Sequence, residues 1–178
     1  MPSQPTQHST YETLPTDDKI LLKAVKASEA GALFELVDFN RDYLAEYLPW
    51  ARGNTREDSA TFVQKVQSDR MKGVEYGFGI YYDDVLAGHI SLMHLVDGKT
   101  PEIGYWLTKK LSGKGITQRA AERLSQFGFE TLGLKEIVIK AATTNIASNK
   151  IAENIGYQLY TTEKSDNGAK INVWRKTS

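Results

Sequence analysis

The stretch "LTKKLSGKGITQRAAERLSQFGF" (Leu107–Phe129) sets two glycines around a lysine, Gly113-Lys114-Gly115, at the mouth of an amphipathic pattern. A bare, basic turn that opens a helix suits an anion. Glycine lets a ligand come close to backbone N–H groups, and the helix dipole adds to the attraction. Spacing rules out two familiar nucleotide loops. A G-x-x-x-x-G-K-[ST] loop would need glycine at Thr108 and a hydroxyl residue at Gly115. A G-x-G-x-x-G fingerprint would need glycine at Gln118. What survives is a strand ending at Leu107, a short basic loop, and backbone donors from about Gly113 to Thr117. On this segment alone, a pyrophosphate cradle and an unliganded glycine-containing helix start stay equally open.

Composition narrows the chemistry. The chain has 178 residues, enough to bury a real core in one domain, and its 22 Lys and Arg balance its 22 Asp and Glu. Zero net charge argues against a general nucleic-acid or membrane binder. With no cysteine, disulfides, thiolate metal sites and a cysteine nucleophile are excluded, and three histidines make a histidine-rich metal centre an unpromising reading. The first residues are polar, and no apolar run is long enough to span a bilayer, so a cytoplasmic protein is expected.

These residues need elements to position them. Residues 1–10 read as a flexible tail and 11–178 as a single domain. A first strand is expected over Ile20–Val25. A helical pattern follows, with Ala32, Leu33, Leu36, Val37 and Phe39 on its apolar side, ended by Pro49. A second helix should run from near Thr55 to Met71, capped by Thr55 with Asp58. Three antiparallel strands broken at Asp83-Asp84 and Asp97-Gly98-Lys99 come next. Ile116 to about Leu132 has a helical face at Ile116, Ala120, Leu124 and Phe127. A buried strand spans Leu134–Ala141. The helix "NIASNKIAENIG" follows, with Ala147, Ile151 and Ile155 four apart and Gly156 just past its end. Strands near Tyr157–Thr162 and Lys170–Arg175 close the chain. The expected class is α/β (α+β), with about seven strands in a twisted mixed sheet and about four flanking helices.

Four pieces in this order, "LAEYLPWARGNTREDSATFV", "EIGYWL", "SGKGIT" and "NIASNKIAENIGY", resemble the GNAT acetyltransferase superfamily, and within it the RimJ/RimL-like branch. The resemblance covers about Tyr11 to Arg175. It implies a GNAT fold whose sheet splays between the strand "EIGYWL" and the strand after it to admit acetyl-CoA. It also implies acetyl transfer to a primary amine, with the N-terminal α-amine of a ribosomal protein favoured. A small amine such as a polyamine or aminoglycoside, or a non-catalytic CoA-sensing module, are the alternatives. The branch's usual phosphate loop, [QR]-x-x-G-x-[GA], falls on Ser112, Gly115 and Thr117, of which only Gly115 keeps the pattern.

The resemblance carries roles to particular residues. Glu102 becomes the base, acting through a water; read alone it is a solvated strand-end carboxylate. Ser148 becomes the donor to the departing sulfur; read alone it is an ordinary first-turn serine. Asn145 could bind the pantetheine amide, cap the helix, or both. Trp106 and Leu107 would offer backbone groups to pantetheine, with the oxyanion donor in the Trp106 region. Ser112, Gly113, Lys114, Gly115, Ile116 and Thr117 form the phosphate loop, and Asn149 and Lys150 could reach the cofactor. His89 and His94, five apart in a strand-like run, should point to opposite faces and pack. Tyr43, Tyr47, Trp50 and Tyr76 could line an acceptor cleft or sit in the core, and Tyr157 is read as packing. The expected partners are acetyl-CoA and an amine, with no metal, no nucleic acid and no membrane, in a homodimer by analogy with the branch. Without cysteine, direct attack in a ternary complex is preferred to an acetyl-enzyme.

Overall fold

In the computed structural model, residues 11–178 are described; the tail expected over 1–10 lies outside the described residues. The eight strands are β1 (Thr13–Pro15), β2 (Ile20–Lys23), β3 (Tyr76–Tyr82), β4 (Val85–Met93), β5 (Glu102–Leu107), β6 (Glu136–Ala142), β7 (Gln158–Lys164) and β8 (Lys170–Thr177). They form one sheet in the order β1-β2-β3-β4-β5-β6-β8-β7. Every pairing is antiparallel except β5 with β6. The Asp83-Asp84 turn between β3 and β4 has both residues at positive φ, 49° and 65°, as a two-residue hairpin of right-handed twist requires.

The helices cover both faces. α1 (Ala30–Phe39), α2 (Arg41–Ala45), α3 (Trp50–Gly53) and α4 (Arg56–Lys72) lie on one side, α5 (Ile116–Gln126) and α6 (Ile146–Asn154) on the other. α5 seats Ile116, Ala120, Leu124 and the following Phe127 in the main core against Ile90, Leu92, Ile137 and Ile139. α4 is capped as expected: the Asp58 N–H donates to Thr55 Oγ1 at 3.1 Å, and the Thr55 N–H to Asp58 Oδ2 at 3.0 Å.

Three departures from these expectations stand out. The helix expected through to Pro49 breaks at Asn40, because the apolar stripe Leu33–Val37 reaches a polar residue there. The Asn40 amide is nearly buried and bonds the Leu36 carbonyl (2.8 Å), Thr108 Oγ1 (3.0 Å) and the Lys109 N–H (3.0 Å). Phe39, expected on the apolar side, is 79 % exposed as a result. The helix after the glycine loop widens into a π-turn at Phe127–Thr131. Gly128 lies so close to Ile137 Cδ1 there that a side chain at 128 would collide at 2.8 Å. In α6 the buried stripe is Ala152 and Ile155, and Ala147 is exposed.

Candidate active site

The single parallel pairing makes the site. β5 and β6 are in register only at Glu102↔Val138 and Ile103↔Ile139, after which β6 diverges. The splay expected between these strands is present. Alternation then decides which backbone groups face the opening. The Val138 N–H donates to the Pro101 carbonyl (2.9 Å) on the β6 side, and the Thr108 N–H to the Ala87 carbonyl (2.8 Å) on the β4 side. Odd-numbered residues of β5 therefore turn N–H and C=O toward the gap, and even-numbered ones toward β4. Tyr105 and Leu107 offer free backbone groups to a ligand lying along the edge. The Trp106 main chain, expected to do this, is committed to β4 opposite His89. Its carbonyl is pressed so closely against Gly88 that only glycine fits there.

Two clefts meet at this opening. One, of about 370 Å³, runs from Tyr43 past Leu107 to Ser112, Gly113, Gly115 and Thr117. Gly113 and Gly115 have φ of 80° and 74°, the left-handed region glycine reaches without strain, and no side chain caps the N-terminus of α5. Arg119 fixes the loop from behind. Its Nε donates to the Gly115 carbonyl (3.2 Å), one Nη to the Lys114 carbonyl (3.3 Å) and the other to Asp17 Oδ2 (2.6 Å). With these carbonyls held back, the uncapped N–H groups form a cradle fit for a pyrophosphate. Ile116 is buried and anchors α5, while the Ser112 hydroxyl donates to the Lys109 carbonyl at 2.6 Å. Lys150 lines this cleft, 3.7 Å from Glu153.

The other cleft, of about 590 Å³, lies over the α1–α4 face of β4 and β5 and has mostly apolar walls, among them Leu33, Val37, Trp50 and Phe62. Tyr47, Leu48, Tyr105, Trp106, Asn145 and Ser148 belong to both clefts and mark their junction. The Tyr47 hydroxyl bridges the opening to the Thr144 carbonyl at 3.0 Å. Trp50 stands 6.3 Å from Trp106, ring to ring. Of the four aromatics weighed for a cleft role, Tyr43, Tyr47 and Trp50 line cleft walls, whereas Tyr76 packs in the core against Tyr11 and Phe127.

Glu102 opens into the larger cleft with its side chain 20 % exposed. Burial pushes its carboxyl above the usual carboxylate range, against the pull of Lys140 and His94. His94 does not obey strand alternation. It follows the end of β4 in a left-handed conformation (φ 64°), which brings its Nε2 to 3.8 Å from Glu102 Oε1. His89 lines the cleft instead of only packing.

Ser148 sits in the first turn of α6, where its N–H donates to Asn145 Oδ1 at 3.2 Å. Its Oγ is 2.9 Å from the Tyr105 hydroxyl, a partner sequence reasoning did not identify. Burial pushes the Tyr105 phenol up to about 12, so it stays protonated at neutral pH. Asn149 has another use than the cofactor role expected of it. Its Nδ2 bonds the Ala142 and Asn145 carbonyls (2.9 and 2.8 Å), and its Oδ1 accepts from Asn172 and Trp174 (2.9 and 2.8 Å). That fills the amide's capacity and ties α6 to β6 and β8. Tyr157 packs as expected, bonding Ser125 at 2.7 Å.

A family model for the acetyltransferase (GNAT) domain matches residues 19–158. The chain is a member of the GNAT acetyltransferase family. It is 31 % identical over 150 residues to the ribosomal-protein-serine acetyltransferase of Escherichia coli (strain K12), covering 83 % of this chain and 84 % of that protein. It is 32 % identical over 152 residues to YdaF of Bacillus subtilis (strain 168), assigned as a ribosomal N-acetyltransferase, covering 82 % and 81 %. Among solved structures, the ribosomal L7/L12 α-N-protein acetyltransferase RimL in complex with coenzyme A superposes with a TM-score of 0.87 at 25 % identity, covering 93 % of this chain and 98 % of RimL. The microcin C7 self-immunity acetyltransferase MccE, in complex with acetyl-CoA and AMP, also gives 0.87 at 25 %, covering 98 % and 100 %. The GNAT fold and an acetyl-CoA-dependent N-acetyltransferase activity, both expected from the sequence, follow from this membership. Among the described residues, no helix is long and apolar enough to cross a membrane.

Proposed function

We propose that this protein transfers acetyl from acetyl-CoA to the α-amine at the N-terminus of a protein, by direct attack while both substrates are bound. The observation that carries this reading is the meeting of two clefts at Tyr105, Trp106 and Ser148. One holds a phosphate cradle and the other a buried carboxylate, so thioester and amine can reach one point from opposite sides. The absence of cysteine removes a thioester-linked acetyl-enzyme.

The backbone groups of Tyr105 and Leu107 would pair with the pantetheine arm, and the loop from Gly113 to Thr117 with the pyrophosphate. The amine lone pair attacks the carbonyl carbon, forming the N–C bond. As the tetrahedral centre collapses, the C–S bond breaks and its electron pair leaves on sulfur. The ammonium proton passes through a water to Glu102. Ser148 donates a hydrogen bond to the departing thiolate, with its hydroxyl held by the Tyr105 hydroxyl 2.9 Å away, and the thiolate takes its proton from solvent water. An α-amine titrates near 8 against about 10.4 for a lysine side chain, so far more of it is free base at neutral pH. A carboxylate whose proton affinity is raised chiefly by burial is better matched to the α-amine. The name of the Escherichia coli relative supports a ribosomal-protein acceptor, and that of RimL, an α-N-protein acetyltransferase, an α-amine.

The test is coenzyme A release with three acceptors: a peptide with a free N-terminus, the same peptide N-blocked but carrying a lysine, and a polyamine. Turnover of the first alone supports the proposal. Preference for the polyamine would replace it with a small-amine acetyltransferase, and binding of acetyl-CoA without turnover of any amine would make the protein a sensor.

A further inference from the structure

A second set of polar groups stands in the acceptor cleft without a part in the chemistry above. Alternation sends His89, Ser91 and Met93 of β4 to the same sheet face as Trp106, Gly104 and Glu102 of β5, with which they are paired. Ser91 lies between two glycines, Gly77 on β3 and Gly104 on β5, so neither neighbouring strand roofs it with a side chain. A Cβ at Gly77 would come within 2.9 Å of Ser91 Oγ and 3.0 Å of His89 Cε1. At Gly104 it would meet only the tip of Met93, at 3.0 Å, and otherwise the open cleft.

His89 and Ser91 are only 5 % and 6 % exposed, and both line the cleft. Neither side chain hydrogen-bonds to another described residue; the imidazole has an edge contact with the Phe62 ring at 5.1 Å. Their polar atoms open into the cleft, so their partner is whatever occupies it, water in the free protein or a substrate that displaces it. Burial, with the Arg70 guanidinium nearby, holds the His89 imidazole down to about 3 and therefore neutral, with one N–H donor and one bare nitrogen acceptor. The Ser91 hydroxyl also both donates and accepts. A group that matches the pair must do both without charge, as a hydroxyl or a carboxamide does. A second ammonium is poorly matched because of the nearby guanidinium.

We propose that His89 and Ser91 form a shelf that hydrogen-bonds a hydroxyl or carboxamide side chain on the first residue of the acceptor, and so set its specificity. The inference rests on the protein N-terminus being the acceptor. Ser91 is the diagonal neighbour of Glu102 across the β4–β5 pair, and such neighbours stand about 7–8 Å apart. One small residue spans that gap, with its amine toward Glu102 and its side-chain polar atom toward Ser91. Alanine in the same place would leave both shelf groups unpaired.

The experiment compares kcat/KM for two peptides identical except for a first Ser or Ala, and for free serinamide and alaninamide, with wild type, Ser91→Ala and His89→Phe. Thermal melting confirms that each variant folds. Wild type should favour the Ser peptide by on the order of tenfold or more. Each variant should lose that preference, slowing on Ser and not on Ala. An equal loss on both peptides, or an unaltered Ser/Ala ratio, overturns the shelf. If wild type acetylates the amides but neither peptide, the protein-acceptor reading falls, and the serinamide/alaninamide ratio alone decides the shelf. Turnover of none of the four overturns both.

Discussion

The two clefts are made of different material. The cofactor side is largely main chain: two glycines at positive φ, an uncapped helix start and the unpaired edge of β5. The acceptor side is written in side chains, with Glu102, His89, Ser91, Trp50 and Phe62 each at a place another residue type could occupy. Main-chain recognition tolerates substitution wherever backbone conformation is kept, which is why Ser112 and Thr117 can depart from the family pattern within an intact loop. Side-chain recognition changes with single residues. The proposal therefore assigns specificity for the amine to the β4–β5 face and use of a common acetyl donor to the loop.

The sharpest break in this contrast should come at Glu102. Glu102→Gln should lower kcat by about 10²-fold or more with little change in the KM for acetyl-CoA. Because burial raises the carboxyl's proton affinity, wild type should lose activity as pH falls through a value above the ordinary carboxylate range, and the variant should lose that acidic limb. The same shift fixes the sign for stability. A carboxyl with a raised folded pKa favours the folded state fully at low pH, and that contribution is lost as pH rises through the folded pKa. Glu102→Gln should therefore melt at a higher temperature than wild type at neutral pH.

Ser148→Ala should come next, at about tenfold or more in kcat, because it removes the donor to sulfur. Tyr105→Phe should fall short of it, since Ser148 still donates but its hydroxyl is no longer oriented. Equal kinetics for Ser148→Ala and wild type would reduce the hydroxyl pair to a structural contact. On the cofactor side, Gly115→Ala meets open space, so its only penalty is backbone conformation, roughly 1–2 kcal/mol for a left-handed non-glycine residue. This should appear as about a tenfold rise in the KM for acetyl-CoA at unchanged kcat. The smallest effect should be that of Arg119→Ala, a rise of about two- to fivefold in the same KM, since the guanidinium only braces carbonyls. Either variant altering amine selectivity would erase the division between the clefts.

That division also explains what was legible beforehand. The glycine loop and the strand headed by Glu102 could be placed because they rest on local rules, glycine spacing, alternation and helix starts, while their roles came only from the family resemblance. Tyr105 could not, because its partner Ser148 is brought near only by the divergence of β6, a tertiary event. The one available signal was its alternation with Glu102, which sends it to the opposite face of β5 and toward α6. His94 escaped because alternation stops at Met93, where its left-handed turn begins. The Asn40 break was hidden for a similar reason: the amide's partners, Thr108 and Lys109, lie 68 and 69 residues away.

The two ladder pairs that join β5 to β6 have a mechanical consequence. Among the described residues they are the only strand pairing between β1–β5 and β6–β8–β7. In the proposed binding mode an acetyl donor along the edge that β6 abandons would take the place of a missing strand and tie the two halves together. Amide hydrogen exchange in β6 and α6 should then slow when it binds, more than in β2 or β3, and recover when coenzyme A is released.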